Sequence, residues 1–152
     1  MKSYLRTILI IFVVVSAGCC FVRPKRVSSM RPPRRAPKRY MLEVTGYCPC
    51  QKCCGWKRSW LGRPVYASGP LKGKRKKLGV TASGTHAGRG TIAADTHRFP
   101  FGTIMYIPGY GYGRVEDCGS AIKGAKIDLF FKKHSDAMEW GRQKKTVKVW
   151  LP

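Results

Sequence analysis

From Met41 to the C-terminus the sequence holds no single pattern for long. Apolar runs of strand length alternate with turns rich in glycine and proline, and this punctuation restricts the fold more than any other feature. "MLEVTGY" (41–47) alternates apolar and polar positions, as a strand with one buried face does. "GTIAAD" (90–95), "TIMYIPG" (103–109), "GRVEDC" (113–118), "KIDLFF" (126–131) and "VKVWL" (147–151) are short runs rich in β-branched or aromatic residues. "RFPFG", "PGYGYG" and "GSAIKG" stand between them. One segment, "SDAMEWGRQ" (135–143), reads as a helix. Ser135 is its expected N-cap, and Asp136 and Glu139 lie toward the positive end of its dipole. Many short strands and one late helix predict a mainly β domain over residues 41–152, closed as a small barrel. A chain of 152 residues has room for one such domain with a true core.

Two segments precede that domain. Residues 1–20, "MKSYLRTILIIFVVVSAGCC", have a short basic start, an apolar run and then small residues, the layout of a secretory signal peptide. Ser16-Ala17-Gly18 lead into Cys19, an arrangement similar to a bacterial lipobox. Export follows, with Cys19 lipidated and the protein held in the cell envelope as a membrane-anchored lipoprotein. Residues 21–40 carry eight basic residues, four prolines and no acid, which predicts a disordered linker. Such a linker can hold anionic wall polymers or a membrane surface, at about 1 kcal/mol per basic residue near the surface. Export argues against nucleic acid as the partner.

Cys48, Cys50, Cys53 and Cys54 fall within "YCPCQKCCGW". With Cys19 lipidated, Cys20 and Cys118 complete an even set of six, which in an oxidising compartment reads first as structural disulfides. Zinc is the alternative, although the spacing lacks two separated knuckles. His86, His97 and His134 sit in unrelated segments, so spacing reveals no Cys–His pair. No cofactor is expected beyond that zinc alternative.

Charge directs attention to the acids. The chain holds 30 Lys and Arg against 7 Asp and Glu, yet three of the seven acids fall between Glu116 and Asp128. Asp95, Asp117 and Asp128 each lie in or at the end of a strand-like run. Any one of them alone reads most simply as a buried, satisfied carboxylate. Three in so basic a chain point to a site. Alternation turns Glu116 away from Asp117 and out of that site. The basic stretch within residues 57–80 reads as an exposed loop.

The ordered series "TGYCPCQKCCG", "TASGT" (81–85), "TIAAD" (91–95), "PFGT" (100–103), "YIPGYGYGRVEDCGSAIKG" (106–124) and "KIDLFF" (126–131) resembles the bacterial 3D domain, named for three aspartates, over about residues 41–151. The resemblance implies a six-stranded double-psi β-barrel, related to MltA-type lytic transglycosylases and to stationary-phase survival proteins. It places the three aspartates at Asp95, Asp117 and Asp128. Cys118 stands where the family commonly has Thr, and residues 57–80 resemble an insertion. The implied activity is cleavage of peptidoglycan glycan strands, with release of 1,6-anhydro products. Asp128, flanked by Ile127, Leu129 and Phe130, is the expected acid and then base. Asp95 and Asp117 are expected to hold charge beside it and raise its pKa. Ser83, Gly84 and Thr85 are candidate substrate-binding residues. A hydrolase using two of the carboxylates and a wall-binding barrel without catalysis are the rival readings.

Overall fold

The computed structural model describes residue 30 and residues 32–152. The expected signal segment, Cys19 and half of the basic linker lie outside the described residues. The elements run β1 (Lys38–Tyr47), α1 (Gln51–Cys54), β2 (Trp56–Arg58), β3 (Pro64–Tyr66), β4 (Thr91–Ala94), β5 (Ile104–Ile107), β6 (Gly111–Asp117), β7 (Lys126–Phe130), α2 (His134–Trp140) and β8 (Gln143–Trp150). Six strands close a barrel in the order β1-β7-β4-β6-β5-β8, and β2 and β3 form a separate hairpin. Two neighbouring pairs are parallel, β1 with β7 and β4 with β6. The other four barrel pairings are antiparallel. The fold is therefore the expected mainly β, six-stranded barrel with a short helix near the C-terminus.

Alternation along the strands fills the interior. Leu42 and Val44 of β1, Ile92 and Ala94 of β4, Met105 and Ile107 of β5 point inward and are fully buried. Val115 of β6, Ile127 and Leu129 of β7, and Val147 and Val149 of β8 join them. Each large member contributes about 1.5–3 kcal/mol through its removal from water. Gly113 lets β6 approach β4 closely, because a Cβ there would stand 2.7 Å from both the Gly90 carbonyl and Ile92 Cδ1.

Three boundaries differ from expectation. The barrel begins at Lys38, within the expected linker, because Tyr40 packs edge-on against Phe99 with ring centres 5.5 Å apart. The Trp150 indole also donates to the Arg35 carbonyl (2.8 Å), fixing the chain ahead of β1. Helix α2 starts at His134 with Lys133 at its N-cap, which makes no side-chain cap bond. Ser135 lies inside the helix and donates to Asp136 Oδ1 (3.1 Å), so it is not the cap. The segment expected as one basic loop contains the β2–β3 hairpin, paired from Trp56–Tyr66 to Arg58–Pro64. Among the described residues, no helix is long and apolar enough to cross a membrane.

Candidate functional site

The outer face of the barrel carries a row of four residues on four adjacent strands. Thr45 of β1 pairs with Asp128 of β7. Asp128 pairs with Ala93 of β4, and Ala93 pairs with Asp117 of β6. The two aspartates thus flank one small side chain, with their Cα atoms about 10 Å apart, two strand spacings. Asp117 owes its place to a bulge. The register runs from Ile92–Val115 directly to Ala93–Asp117, so Glu116 is the extra residue. Without it, Asp117 would pair with Ala94, whose side chain belongs to the core.

That bulge also corrects the expectation for Glu116. Simple alternation does not set its direction. Its carboxylate accepts from Thr91 Oγ1 (3.0 Å) and lies 4.0 Å from the Arg114 guanidinium. Those partners, on the side of β4 that carries Ala93, hold it outside the cleft.

Above the row lies a cleft of about 590 Å³ lined by Asp117, Asp128, Ala93, Tyr47 and Phe130. Its walls come from α1, from residues 76–82 and from residues 117–122. Tyr47 and Phe130 pack edge to face, with centres 5.5 Å apart, and form an apolar side beside Asp128. Lys76 and Lys77 also line the cleft and supply positive charge there. The Lys76 ammonium lies 4.4 Å from the centre of the Tyr66 ring. The basic segment is therefore part of the site.

The two aspartates have different surroundings. Asp128 is partly buried, and its carboxyl is raised above the ordinary carboxylate value chiefly by burial, with the Asp117 charge adding to it. A hydrogen bond from Thr45 Oγ1 to Oδ1 (2.8 Å) and the Lys126 charge act in the opposite direction. Thr45 can also turn its proton to the Ile127 carbonyl (3.4 Å) and accept from a protonated Asp128. Asp117 accepts from three donors. These are the Ala82 amide (3.0 Å) and its neighbour Cys118 (2.9 Å) at Oδ1, and the Tyr47 hydroxyl (3.1 Å) at Oδ2. Burial first, and then the Asp117 charge, pushes the Tyr47 phenol far upward, so it remains a neutral donor.

Asp95 does not join this pair. It lies just beyond β4, where Oδ2 accepts from the Gly124 amide (2.9 Å) and Oδ1 from the His97 amide (3.2 Å). Its carboxyl sits below the ordinary value, mainly because the Gly124 amide stabilises the charged form. It is not among the residues that line the cleft. The expectation that Asp95 charges the cleft is thus corrected: it ties the end of β4 to the turn that leads into β7.

Ser83, Gly84 and Thr85 also fall beside the cleft rather than in it. Thr81 and Ala82 are the lining residues of that loop. Thr81 Oγ1 meets Thr85 Oγ1 (2.8 Å) and Ser83 Oγ (3.1 Å), and the Ser83 amide donates to the Glu116 carbonyl (3.0 Å). These bonds close the loop on itself and dock it on β6, which aims the Ala82 amide at Asp117. Cys118 is exposed and contributes to the cleft wall.

The cysteines are all free among the described residues: Cys48, Cys50, Cys53, Cys54 and Cys118. The expected disulfides are absent from this set. Instead, His134 at the start of α2 brings its Nδ1 to Cys48 (3.6 Å), Cys50 (3.6 Å) and Cys53 (3.5 Å). Sequence spacing hid that meeting, because 80 or more positions separate the histidine from each thiol. Thr45 and Tyr47 were nearer to view, as alternate outward positions of the first strand-like run. Ala93 offers no chemical signal at all.

Comparison with known proteins fixes the family of the region that carries the aspartates. Residues 90–151 match the model of the 3D domain. This region is a 3D domain. All three named aspartates lie within the match, whereas Thr45, Tyr47 and the cysteine cluster precede it. The 3D domain as matched is shorter than the expected 41–151, yet the barrel closes only with β1. The cell wall-binding protein YocH of Bacillus subtilis is 43% identical over 75 residues, covering 47% of this chain and 26% of that protein. YabE of the same organism, named for a proposed part in cell wall shaping, is 50% identical over 58 residues. That stretch covers 38% of this chain and 14% of YabE. The chain therefore spans about a quarter or less of these relatives' lengths. Among solved structures, Escherichia coli MltA, described as a lytic transglycosylase, gives a TM-score of 0.40 at 22% identity. The alignment covers 48% of this chain and 28% of MltA. MltA with bound chitohexaose gives the same score and identity.

Proposed function

We propose that this protein works on the bacterial cell wall and cleaves peptidoglycan glycan strands as a lytic transglycosylase. The observation that carries the proposal is Asp128: a carboxyl raised by burial, facing a cleft of about 590 Å³, with Asp117 across Ala93. A general acid must hold its proton when substrate arrives, and burial shifts Asp128 in that direction. The names of YabE and YocH support a wall-related role, and the N-terminal segment supports work outside the cytoplasm. Lipidation of Cys19 would hold the domain at the membrane, with the basic linker reaching anionic polymer or lipid.

In the proposed reaction Asp128 gives its proton to the oxygen joining N-acetylmuramic acid to N-acetylglucosamine, and the C1–O bond breaks. The resulting carboxylate takes the proton of the muramic C6 hydroxyl as O6 bonds to C1, closing the 1,6-anhydro ring. No water is consumed and Asp128 ends protonated. Thr45 holds the carboxyl in place through both states. Asp117, already accepting three hydrogen bonds, is a poor candidate for a nucleophile. That engagement favours the one-acid route over a two-carboxylate hydrolase. Asp117 instead supplies negative charge toward the cationic transition state.

A second reading is supported by the name of YocH and by Lys76 and Lys77 on the cleft wall: a wall-binding barrel without catalysis. Incubation of the full chain with purified peptidoglycan, followed by mass spectrometry of the soluble products, separates the readings. Anhydro-muropeptides that vanish with Asp128→Asn are the expected result. Reducing-end products would replace the lytic route by hydrolysis. Wall retention without any release would leave the binding reading in its place.

A further inference from the structure

Three sulfurs and one imidazole nitrogen converge beside the cleft. Cys48 directly follows β1, Cys50 caps α1, Cys53 lies in α1, and His134 opens α2. Their ligand atoms all lie within 4.8 Å of one another. A tetrahedral Zn²⁺ has Zn–S bonds of about 2.3 Å and Zn–N bonds of about 2.0–2.1 Å, which set S···S at about 3.8 Å and S···N at about 3.6 Å. Cys48 Sγ and Cys53 Sγ stand 3.8 Å apart. The three sulfur-to-Nδ1 distances are 3.5, 3.6 and 3.6 Å. All four distances match the edges of one zinc tetrahedron.

We propose that Cys48, Cys50, Cys53 and His134 form a structural Zn²⁺ site that clips α1 to α2. Disulfide chemistry explains the arrangement less well. A disulfide joins two sulfurs at about 2.0 Å and would leave the third beside the imidazole with no partner. The backbone also suits thiolate ligands. The Cys53 amide points at Cys50 Sγ (3.4 Å), a bond that stabilises negative charge on a coordinating sulfur. Gly55 ends α1 in the left-handed region at φ 55°, and its amide donates to the Gln51 carbonyl. This keeps the turn tight around the cluster. Cys54 is set apart, since its thiol donates to the Cys48 carbonyl (3.2 Å). Four ligands from the protein close the coordination sphere, which marks a structural rather than a catalytic ion.

The site has a mechanical consequence. Helix α1 is only four residues long and buries none of them, so packing alone holds it weakly. Cys53, Cys54 and Gly55 nevertheless line the cleft. A zinc clip would fix that wall against α2, which itself packs on β1.

Metal analysis of the full chain, purified under reducing conditions without added chelator, tests the assignment. One zinc per chain is expected. Cobalt loaded in its place should give thiolate charge-transfer absorption and the strong visible bands of a tetrahedral ion. Cys50→Ser and His134→Ala should weaken or abolish binding, while Cys54→Ser and Cys118→Ser should leave one metal per chain. A strong chelator should lower the Tm of the wild type and leave that of Cys50→Ser unchanged. A chain that stays metal-free in excess zinc, an octahedral cobalt spectrum, or a Cys48–Cys53 disulfide in the reduced preparation would overturn the site. These readouts need no glycan substrate, so they stand or fall apart from the proposed activity.

Discussion

Asp95 follows β4 and Asp128 lies in the neighbouring β7, yet their surroundings move them in opposite directions. Asp95 sits at a turn where two backbone amides reach its oxygens, so the charged form is favoured. Asp128 sits in a row beneath a cleft, where burial outweighs the Thr45 hydroxyl, the Lys126 charge and the Leu129 amide and shifts its carboxyl upward. The residue type is the same, but the first is suited to hold a turn and the second to give a proton. Chemical function here follows from the balance between amide donors and lost water, and not from the carboxyl itself.

The sharpest break of this comparison is kinetic. Asp128→Asn should reduce release of anhydro-muropeptides by about 10²–10⁴-fold, the usual range for loss of a general acid, with the fold retained. Asp95→Asn, which alters a turn outside the cleft, should keep most of the rate at temperatures where it remains folded. Equal losses in the two variants, both folded by circular dichroism, would return Asp95 to the active centre. The next effect concerns the floor between the two cleft aspartates. Ala93→Val should raise KM or lower kcat by filling the gap, while costing about 1–3 kcal/mol in urea unfolding. Smaller still is Tyr47→Phe, which removes one donor to Asp117 and should cost about 0.5–1.5 kcal/mol. The pH optimum of cleavage should shift with it if Asp117 influences Asp128.

The last comparison is the pH dependence of stability. Asp95 has a lowered folded value, so its contribution is present above about the ordinary 3.8 and is lost as pH falls through the folded value. Asp128 has a raised folded value, so its stabilisation is present below 3.8 and is lost as pH rises through the folded value. Urea midpoints should therefore show Asp95→Asn losing most above that window and approaching the wild type in acid. Asp128→Asn should gain relative to the wild type as pH rises. Matching slopes for both variants would remove the distinction between the sites.

Much of the barrel was legible along the chain, because alternation at "MLEVTGY" and "KIDLFF" marks which side chains leave water. The bulge at Glu116 was not legible. It depends on a register between β4 and β6 that only pairing defines, and it decides which acid faces the cleft. The 57–80 segment was visible as basic, but its place on the cleft wall was not. His134 was one of three histidines without distinguishing context until α2 brought it to the thiols.

By itself the sequence determined the strand-forming runs, the choice of interior residues and the concentration of rare acids near residues 116–128. These are local properties, set by side-chain chemistry and by a period of two. Tertiary structure alone decided that Asp128 and Asp117 share a cleft while Asp95 holds a turn. It also decided that three cysteines face one histidine, and that a small alanine separates the two cleft acids. The physical reason is that pKa, hydrogen-bond satisfaction and metal geometry depend on distances between strands and helices far apart in the chain, and closure of the barrel sets those distances.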